Sequence, residues 1–191
     1  MTNDGLRACA DALEQGKAVV FPTDTVYGIG VSVHHAKSPQ VLFNIKQRAA
    51  GKPIAWLVGS PEALDEYGCD VSERAKELAR FHWPGALTII VKASDAVPPV
   101  FRSQGGTIGL RMPANETALE LIDAVGGPLA TSSANISGGP DPRCFADIDD
   151  ELLARVAASV EDGQPCSGVA STVIDCSGQD VIIVRQGDVV V

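Results

Sequence analysis

The sequence predicts an α/β fold with a mixed, largely buried sheet, and three observations support that prediction. Apolar runs of four or five residues, rich in valine and isoleucine, recur along the chain and have the length of strands. Segments with apolar residues at helical spacing lie between these runs. No internal repeat or linker-like stretch interrupts the 191 residues, so we expect one domain spanning residues 1–191.

Five segments with helical spacing are predicted to be helices: residues 3–16, 38–46, 72–81, 116–125 and 148–160. Asn3 or Asp4 can cap the first helix, and Gly16 is a typical terminating residue. Ser38-Pro39 has the composition of a helix start. The last segment begins with several carboxylates, which suit the positive end of a helix dipole.

Seven apolar runs are predicted to be strands: residues 18–21, 54–58, 87–91, 107–110, 128–131, 171–174 and 181–184. All four residues of the first run are apolar, so both faces of that strand would be apolar, as is typical of a fully buried strand. Pro22 ends it. Because strands and helices interleave, we expect a single sheet with helices packed against it.

Charge and hydropathy exclude several classes of protein. The 24 acidic and 15 basic residues give a net charge of −9, which argues against a general nucleic-acid or anionic-membrane binder. No apolar run approaches the roughly 20 residues that span a bilayer, and the N-terminus lacks the layout of a signal peptide. The five cysteines form no Cys-x-x-Cys pair. We therefore expect a cytoplasmic protein without a disulfide framework, a protein-held metal or a membrane partner.

The common catalytic and phosphate-binding signatures are missing from the sequence. Neither Gly-Lys pair lies in a Walker loop, and there is no Gly-x-Ser-x-Gly elbow. Polar residues instead cluster where predicted strands end. Thr23, Thr25 and Tyr27 follow the first strand and would share one side of an extended chain, although a turn capped by its threonines fits equally well.

A second cluster is cationic. Lys46 and Arg48 would point the same way if the preceding helix ends near Lys46, and Lys52 lies close by in sequence. The alternative is a pair of solvated cations at a helix C-terminus. Further polar residues occur near later strand ends: Thr107, Arg111, Thr131, Ser133, Asn135, Ser171, Thr172 and Arg185. Ligands of open α/β sheets collect at strand ends, so these clusters favour a pocket for a small anionic molecule.

Seven segments in order resemble the YrdC family of L-threonylcarbamoyladenylate synthases. They are Pro22-Thr23-Asp24-Thr25-Val26-Tyr27-Gly28, Lys46-x-Arg48, Trp83-Pro84-Gly85-x-x-Thr88, Arg111-Met112-Pro113, Ser133-Ala134-Asn135, Ser171-Thr172-Val173-Ile174-Asp175 and Arg185-x-Gly187. The resemblance covers residues 5–188 and implies a twisted open sheet, with flanking helices, around a concave basic cavity. It also implies a short single-domain member, because longer members continue into a further C-terminal domain.

The resemblance implies a reaction in which L-threonine, bicarbonate or CO₂, and ATP give threonylcarbamoyl-AMP and pyrophosphate. Other proteins then transfer the threonylcarbamoyl group to an adenosine of tRNA, giving N6-threonylcarbamoyladenosine. Mg²⁺ would be carried by the ATP phosphates rather than by a protein cage. Partners would be these transferase proteins, with no stable nucleic-acid complex.

Site residues follow from the matched motifs. The resemblance implies that Lys46 and Arg48 are catalytic and face the triphosphate. ATP would also contact Lys52, Thr107, Ser133, Asn135 and Arg185. Threonine would contact Arg111 through its carboxylate, and its other contacts would be Thr23, Thr25, Tyr27, Thr131, Ser171 and Thr172.

One departure from the family concerns the amino-acid side of the cavity. Leu57 stands where longer members have a histidine, so threonine selectivity would depend on other groups. Two alternatives remain at this point: a non-catalytic module that binds tRNA or double-stranded RNA, and carbamoyl-adenylate chemistry directed to another acceptor.

Overall fold

The computed structural model describes residues 3–47 and 54–191. Ten strands in these residues form one sheet, in the order β10-β9-β5-β6-β3-β7-β2-β1-β8, with the short β4 beside β5. The strands are β1 Val19–Phe21, β2 Gly28–Ser32, β3 Ala55–Leu57, β4 Gly68–Cys69, β5 Leu87–Ala93, β6 Thr107–Arg111, β7 Leu129–Ser133, β8 Ala158–Ser159, β9 Thr172–Asp175 and β10 Ile182–Arg185. Parallel and antiparallel pairs both occur, so the sheet is mixed as predicted.

Within the same described residues, six helices and two 3₁₀ turns accompany the sheet. The helices are α1 Asn3–Glu14, α2 Gln40–Ile45, α3 Ala63–Tyr67, α4 Glu73–His82, α5 Glu116–Ala124 and α6 Asp150–Leu153, and the 3₁₀ turns are Pro99–Phe101 and Phe145–Asp147. Ser72 and Asn115 cap α4 and α5 by accepting hydrogen bonds from the backbone N–H groups three residues later. Among the described residues, no helix has both the length and the apolar content needed to cross a bilayer.

One predicted helix is wrong over most of its length. The helix predicted at residues 148–160 is only the short α6, and its second half becomes the edge strand β8. The N–H group of Ala157 donates to the carbonyl of Ala18, just before β1, and that of Val160 donates to the carbonyl of Val20 within β1. Pairing with the sheet edge satisfies the backbone of these small and β-branched residues, and this tertiary contact outweighs their local preference.

The two faces of the sheet are covered differently. Trp56 and Ile89 are both level with Leu110 on neighbouring strands, so the three side chains point to one side. There they join the larger apolar core, to which α2, α3, α4 and α6 also contribute. The opposite face is covered by α1 and α5 only over Val19 and Phe21 of β1 and the ends of β3 and β7. The described residues leave the rest of that face open as a cavity.

Substitution of Leu121 tests how much the packing of α5 on the sheet contributes to the free energy of unfolding. Leu121 is fully buried against the smaller core, whereas Leu119 on the same helix is only partly buried. We expect Leu121→Ala to lower the free energy of unfolding by about 2–5 kcal/mol, and Leu119→Ala to lower it by less. Urea unfolding followed by circular dichroism measures both. Equal losses would contradict this account of the packing.

Candidate functional site

A cavity of about 520 Å³ lies over the open part of the sheet, a volume in the usual range for small-molecule sites. Strand register brings distant parts of the sequence together on its floor. Ala55 is level with Gly109 of β6 on one side and with Thr131 of β7 on the other. Hydroxyl side chains form much of the lining: Thr23, Thr25, Thr88, Ser103, Thr107, Thr131, Ser132, Ser133 and Ser171.

Arg111, at the end of β6, is the most constrained charged group of the cavity. Its Nε donates to the carbonyl of Gly85 at 3.0 Å, and its Nη1 donates to the Thr25 hydroxyl at 2.8 Å. Its Nη2 forms an ion pair with the carboxylate of Asp24. Burial lowers the pKa of the Arg111 guanidinium, while the Asp24 carboxylate acts in the opposite direction. The Asp24 carboxylate therefore stabilises the buried positive charge of Arg111.

Asp24 also fixes the neighbouring backbone. The same carboxylate oxygen accepts a hydrogen bond from the N–H of Ala114 at 3.1 Å, just beyond β6. The loop after β1 is thus attached to the segment after β6 through one carboxylate. In the sequence, Asp24 lies inside a matched motif, but nothing there indicates which residue it pairs with.

The threonines after β1 form a capped turn and also line the cavity. The Thr23 hydroxyl donates to the Val26 carbonyl at 2.7 Å and accepts from the backbone N–H of Thr25 at 3.2 Å, which is a capped turn. The hydroxyl oxygens of Thr23 and Thr25 are also 3.0 Å apart, and both residues line the cavity. The turn therefore presents two hydroxyls beside Arg111.

Arg185 approaches the cavity from the edge strand β10. Its Nε and Nη2 donate to the carbonyl and the hydroxyl of Ser171, at 2.9 and 3.1 Å. The Ser171 hydroxyl lies 2.8 Å from that of Thr88 on β5. Arg185 and Ser171 were predicted from the sequence as site residues, whereas Thr88 was only part of a matched motif. A chain of hydrogen bonds thus connects β10, the residue just before β9, and β5 along one wall.

Lys46 lies at the opposite side, directly after α2. Its buried ammonium donates to the carbonyl of Ser133, to the carbonyl of Asn135 at 2.6 Å and to the Asn135 side-chain oxygen at 2.9 Å. The Ser133 hydroxyl donates to that same amide oxygen at 2.6 Å. Ser133 lines the cavity, while Lys46 and Asn135 support it from behind. Two separate motifs therefore meet at the end of β7.

Some sequence-selected residues lie elsewhere. Tyr27 packs edge-on against Phe145 in the core, and burial together with nearby carboxylates raises the pKa of its phenol. The Thr172 hydroxyl donates to the Val189 carbonyl at 2.7 Å and is fully buried. Both side chains are outside the cavity lining. Arg48 and Lys52 lie outside the residues that the structure describes.

Thr107 is placed as expected, at the start of β6, where it lines the cavity beside Ser103 with 2.7 Å between their hydroxyl oxygens. Two lining aspartates, Asp141 and Asp175, were not selected as site residues. Asp175 ends a matched motif, while Asp141 lies in a Gly/Pro-rich loop that carries no comparable signal. Among the described lining residues, the charges are thus two arginines and two aspartates.

The Asp24–Arg111 ion pair should be worth far more than a surface pair, because removing one partner leaves a buried charge. We expect Asp24→Ala to lower the free energy of unfolding by about 3–5 kcal/mol, and the double variant with Arg111→Met to lose much less than the sum of the two single losses. The exposed Arg74–Glu77 pair is the control, where Glu77→Ala should cost about 0–1 kcal/mol. Additive losses in urea unfolding at the buried pair would contradict the assignment.

The Sua5/YciO/YrdC family model, described as telomere recombination, matches residues 11–187. A threonylcarbamoyl-AMP synthase from Pyrococcus abyssi is 35% identical over 182 residues, which are 95% of this chain and 54% of that protein. One from Bacillus subtilis is 34% identical over 190 residues, covering 98% of this chain and 55% of that protein.

The crystal structure of P. abyssi Sua5 complexed with L-threonine superimposes with a TM-score of 0.87 at 36% identity, covering 95% of this chain and 54% of that one. The chain thus spans about half the length of these relatives. The match over nearly all of the chain, in sequence and in fold, shows that the chain belongs to the Sua5/YciO/YrdC family.

Proposed function

We propose that this protein is a threonylcarbamoyl-AMP synthase, which converts L-threonine, bicarbonate or CO₂, and ATP into threonylcarbamoyl-AMP and pyrophosphate. The observation that carries the proposal is the convergence at one cavity of residues from separate matched motifs. Arg111, Ser133, Ser171 and Arg185 belong to four such motifs and line the same 520 Å³. Relatives that are 34–35% identical bear this name, which supports the choice of reaction.

Threonine would bind beside Arg111. A guanidinium can hold a carboxylate through two parallel hydrogen bonds, and the contacts of Arg111 with Asp24, Thr25 and Gly85 hold its plane. Hydroxyls of Thr23, Thr25, Thr131 and Ser171 line the same cavity and can pair with the polar groups of the amino acid. The P. abyssi relative was solved with L-threonine bound, which supports an amino-acid subsite in this fold.

ATP would occupy the remaining cavity, with Ser133, Thr107 and Arg185 in its lining. Lys46 would supply positive charge at the phosphate end and hold Ser133 and Asn135 in position. Arg48 and Lys52 are assigned to the phosphates by the resemblance of their motif. Tyr27 and Thr172 act on the amino-acid side through the turn and strand to which they belong, since their own side chains lie in the interior.

Magnesium enters the proposal as part of the nucleotide substrate. Within the described residues there is no group of three or more histidine, cysteine, aspartate or glutamate side chains suited to a metal ion. Mg²⁺ commonly retains water and substrate phosphate ligands and needs only one or two carboxylates from a protein. Asp141 and Asp175 are the carboxylates that line the described cavity.

The reaction requires positioning more than a protein nucleophile. The threonine amine adds to CO₂ and loses a proton, which gives a carbamate. A carbamate oxygen then forms a bond to the α-phosphorus while the bond to pyrophosphate breaks. Arginine and hydroxyl groups held in fixed hydrogen bonds can stabilise the charge that moves onto the phosphate oxygens.

The product would then serve tRNA modification. We propose that threonylcarbamoyl-AMP passes in the cytoplasm to separate transferase proteins, which place the threonylcarbamoyl group on adenosine. The net charge of −9 supports hand-over to such proteins rather than stable binding of tRNA by this chain itself.

Pyrophosphate release tests the proposed function directly. With ATP, Mg²⁺ and bicarbonate, we expect release to depend on L-threonine, and mass spectrometry of quenched samples should detect threonylcarbamoyl-AMP. Arg185→Ala is the matched variant, because Arg185 lies on the exposed β10 and its loss removes charge-assisted contacts worth about 10- to 150-fold in ATP use. Pyrophosphate release from folded protein that does not depend on L-threonine would indicate another acceptor and overturn the proposal.

A further inference from the structure

The loop of residues 160–171, between β8 and β9, lies against the turn after β1. It contains no helix or strand, so contacts with other segments must hold it in place. The N–H groups of Ser167 and Gly168 donate to the carbonyls of Asp24 and Thr25, at 3.0 and 2.8 Å. The side chains of these last two residues hold the guanidinium at the end of β6. The loop therefore fixes the backbone that carries both of those partners.

Asp162 attaches the beginning of this loop to the start of α5. One of its carboxylate oxygens accepts hydrogen bonds from the Asn115 side-chain amide at 2.9 Å and from the Thr117 hydroxyl at 3.2 Å. Its other oxygen accepts from the backbone N–H of Gln164 at 2.9 Å, within the loop itself. Asn115 and Thr117 are both buried, so the loop is joined to a fixed part of the fold.

Capping of the helix does not account for these contacts. The Asn115 side-chain oxygen accepts from the N–H of Ala118 at 2.9 Å and already caps α5. The two hydrogen bonds that Asp162 accepts from the start of α5 both come from side chains. The Asp162 carboxylate also lies at the positive end of the helix dipole, which favours its charge. Its contacts therefore serve to attach the loop to the helix.

A further contact closes a ring. The Asp24 carboxylate accepts from the N–H of Ala114 at 3.1 Å, and Ala114 is bonded to Asn115. Three segments are thus joined to one another and form what we call the anchor ring: residues 24–25, 114–117 and 162–168. Asp162 is not among the described residues that line the cavity, so it can affect a bound molecule only through this ring.

The side chains assigned to ATP are held by other contacts. Arg185 is held by Ser171, whose hydroxyl lies 2.8 Å from that of Thr88. On the opposite side, Lys46 donates to the carbonyl of Ser133 at the end of β7. These five residues lie outside the anchor ring, so the ring supports one side of the cavity only.

We propose that Asp162 is a positioning residue for the threonine subsite. It anchors the loop, the loop holds the backbone of Asp24 and Thr25, and their side chains orient Arg111. This inference rests on the proposed synthase function, in which Arg111 binds the threonine carboxylate. A guanidinium that is turned out of position loses one of two parallel hydrogen bonds to a carboxylate. Loss of the anchor should therefore weaken the binding of threonine and leave that of ATP unchanged.

Steady-state kinetics of pyrophosphate release test the proposal. In Asp162→Ala, we expect the KM for L-threonine to rise about 5- to 50-fold, because a small misplacement of a binding group is costly. The KM for ATP, and kcat at saturating L-threonine, should stay within about twofold. Calorimetric titration with L-threonine should show the same rise in Kd. Asp162→Asn keeps one acceptor oxygen, so it should raise this KM less, and it provides the test if the alanine variant does not fold.

Ser72→Ala is the matched control, because it removes a capping hydrogen bond of α4 outside the anchor ring. It should lower the free energy of unfolding and leave the KM values for L-threonine and ATP unchanged. Equal rises of both KM values in the Asp162 variants, or an unchanged KM for L-threonine in the folded variants, would overturn the inference while leaving the synthase proposal standing. A wild-type protein that releases no pyrophosphate in the presence of L-threonine would overturn both.

Discussion

The incomplete covering of one sheet face is the constraint on which the site depends. On one face, apolar side chains of the strands from β9 across to β1 join those of α2, α3, α4 and α6 in the larger core. On the other face, α1 and α5 cover only one end. Residues two apart on a strand share a face, so position along the strand decides the chemistry: Leu57 and Leu129 pack against α5, whereas Ala55 and Thr131, two residues away, face the cavity. One pair of strands thus serves both core and site.

Charge is handled locally in a protein that is acidic overall. A net charge of −9 would repel anionic substrates at long range, so anion binding must come from cations held close to the ligand. Arg111 can remain buried because Asp24 compensates it, and Arg185 is held by both polar atoms of Ser171. The Lys46 ammonium is held by hydrogen bonds to backbone carbonyl and side-chain amide oxygens. Each cation is held by hydrogen bonds between separate segments of the chain, and this gives the cavity its fixed geometry.

Elements and site residues could be predicted from the sequence where they depend on local chemistry. Apolar runs such as residues 87–91 predicted strands, because short runs rich in β-branched residues fit the surface of a sheet. The helix predicted at 148–160 was wrong, because Ala158 and Ser159 gain backbone partners on β1 that no local pattern reveals. Polar residues at strand ends identified Arg111, Ser133 and Ser171, all of which line the cavity. Their partners could not be predicted: Asp24 lies 87 residues from Arg111.

We expect the substrates to bind on the open part of the sheet face and not elsewhere. NMR of the protein with labelled isoleucine, leucine and valine methyl groups tests it, by comparing spectra before and after adding ATP with Mg²⁺ and L-threonine. The account predicts shifts for Ile90, Val173 and Val184, which line the cavity, and none for Leu13 and Leu121 under the covering helices. Shifts confined to the covered end, with the cavity methyls unchanged, would contradict it.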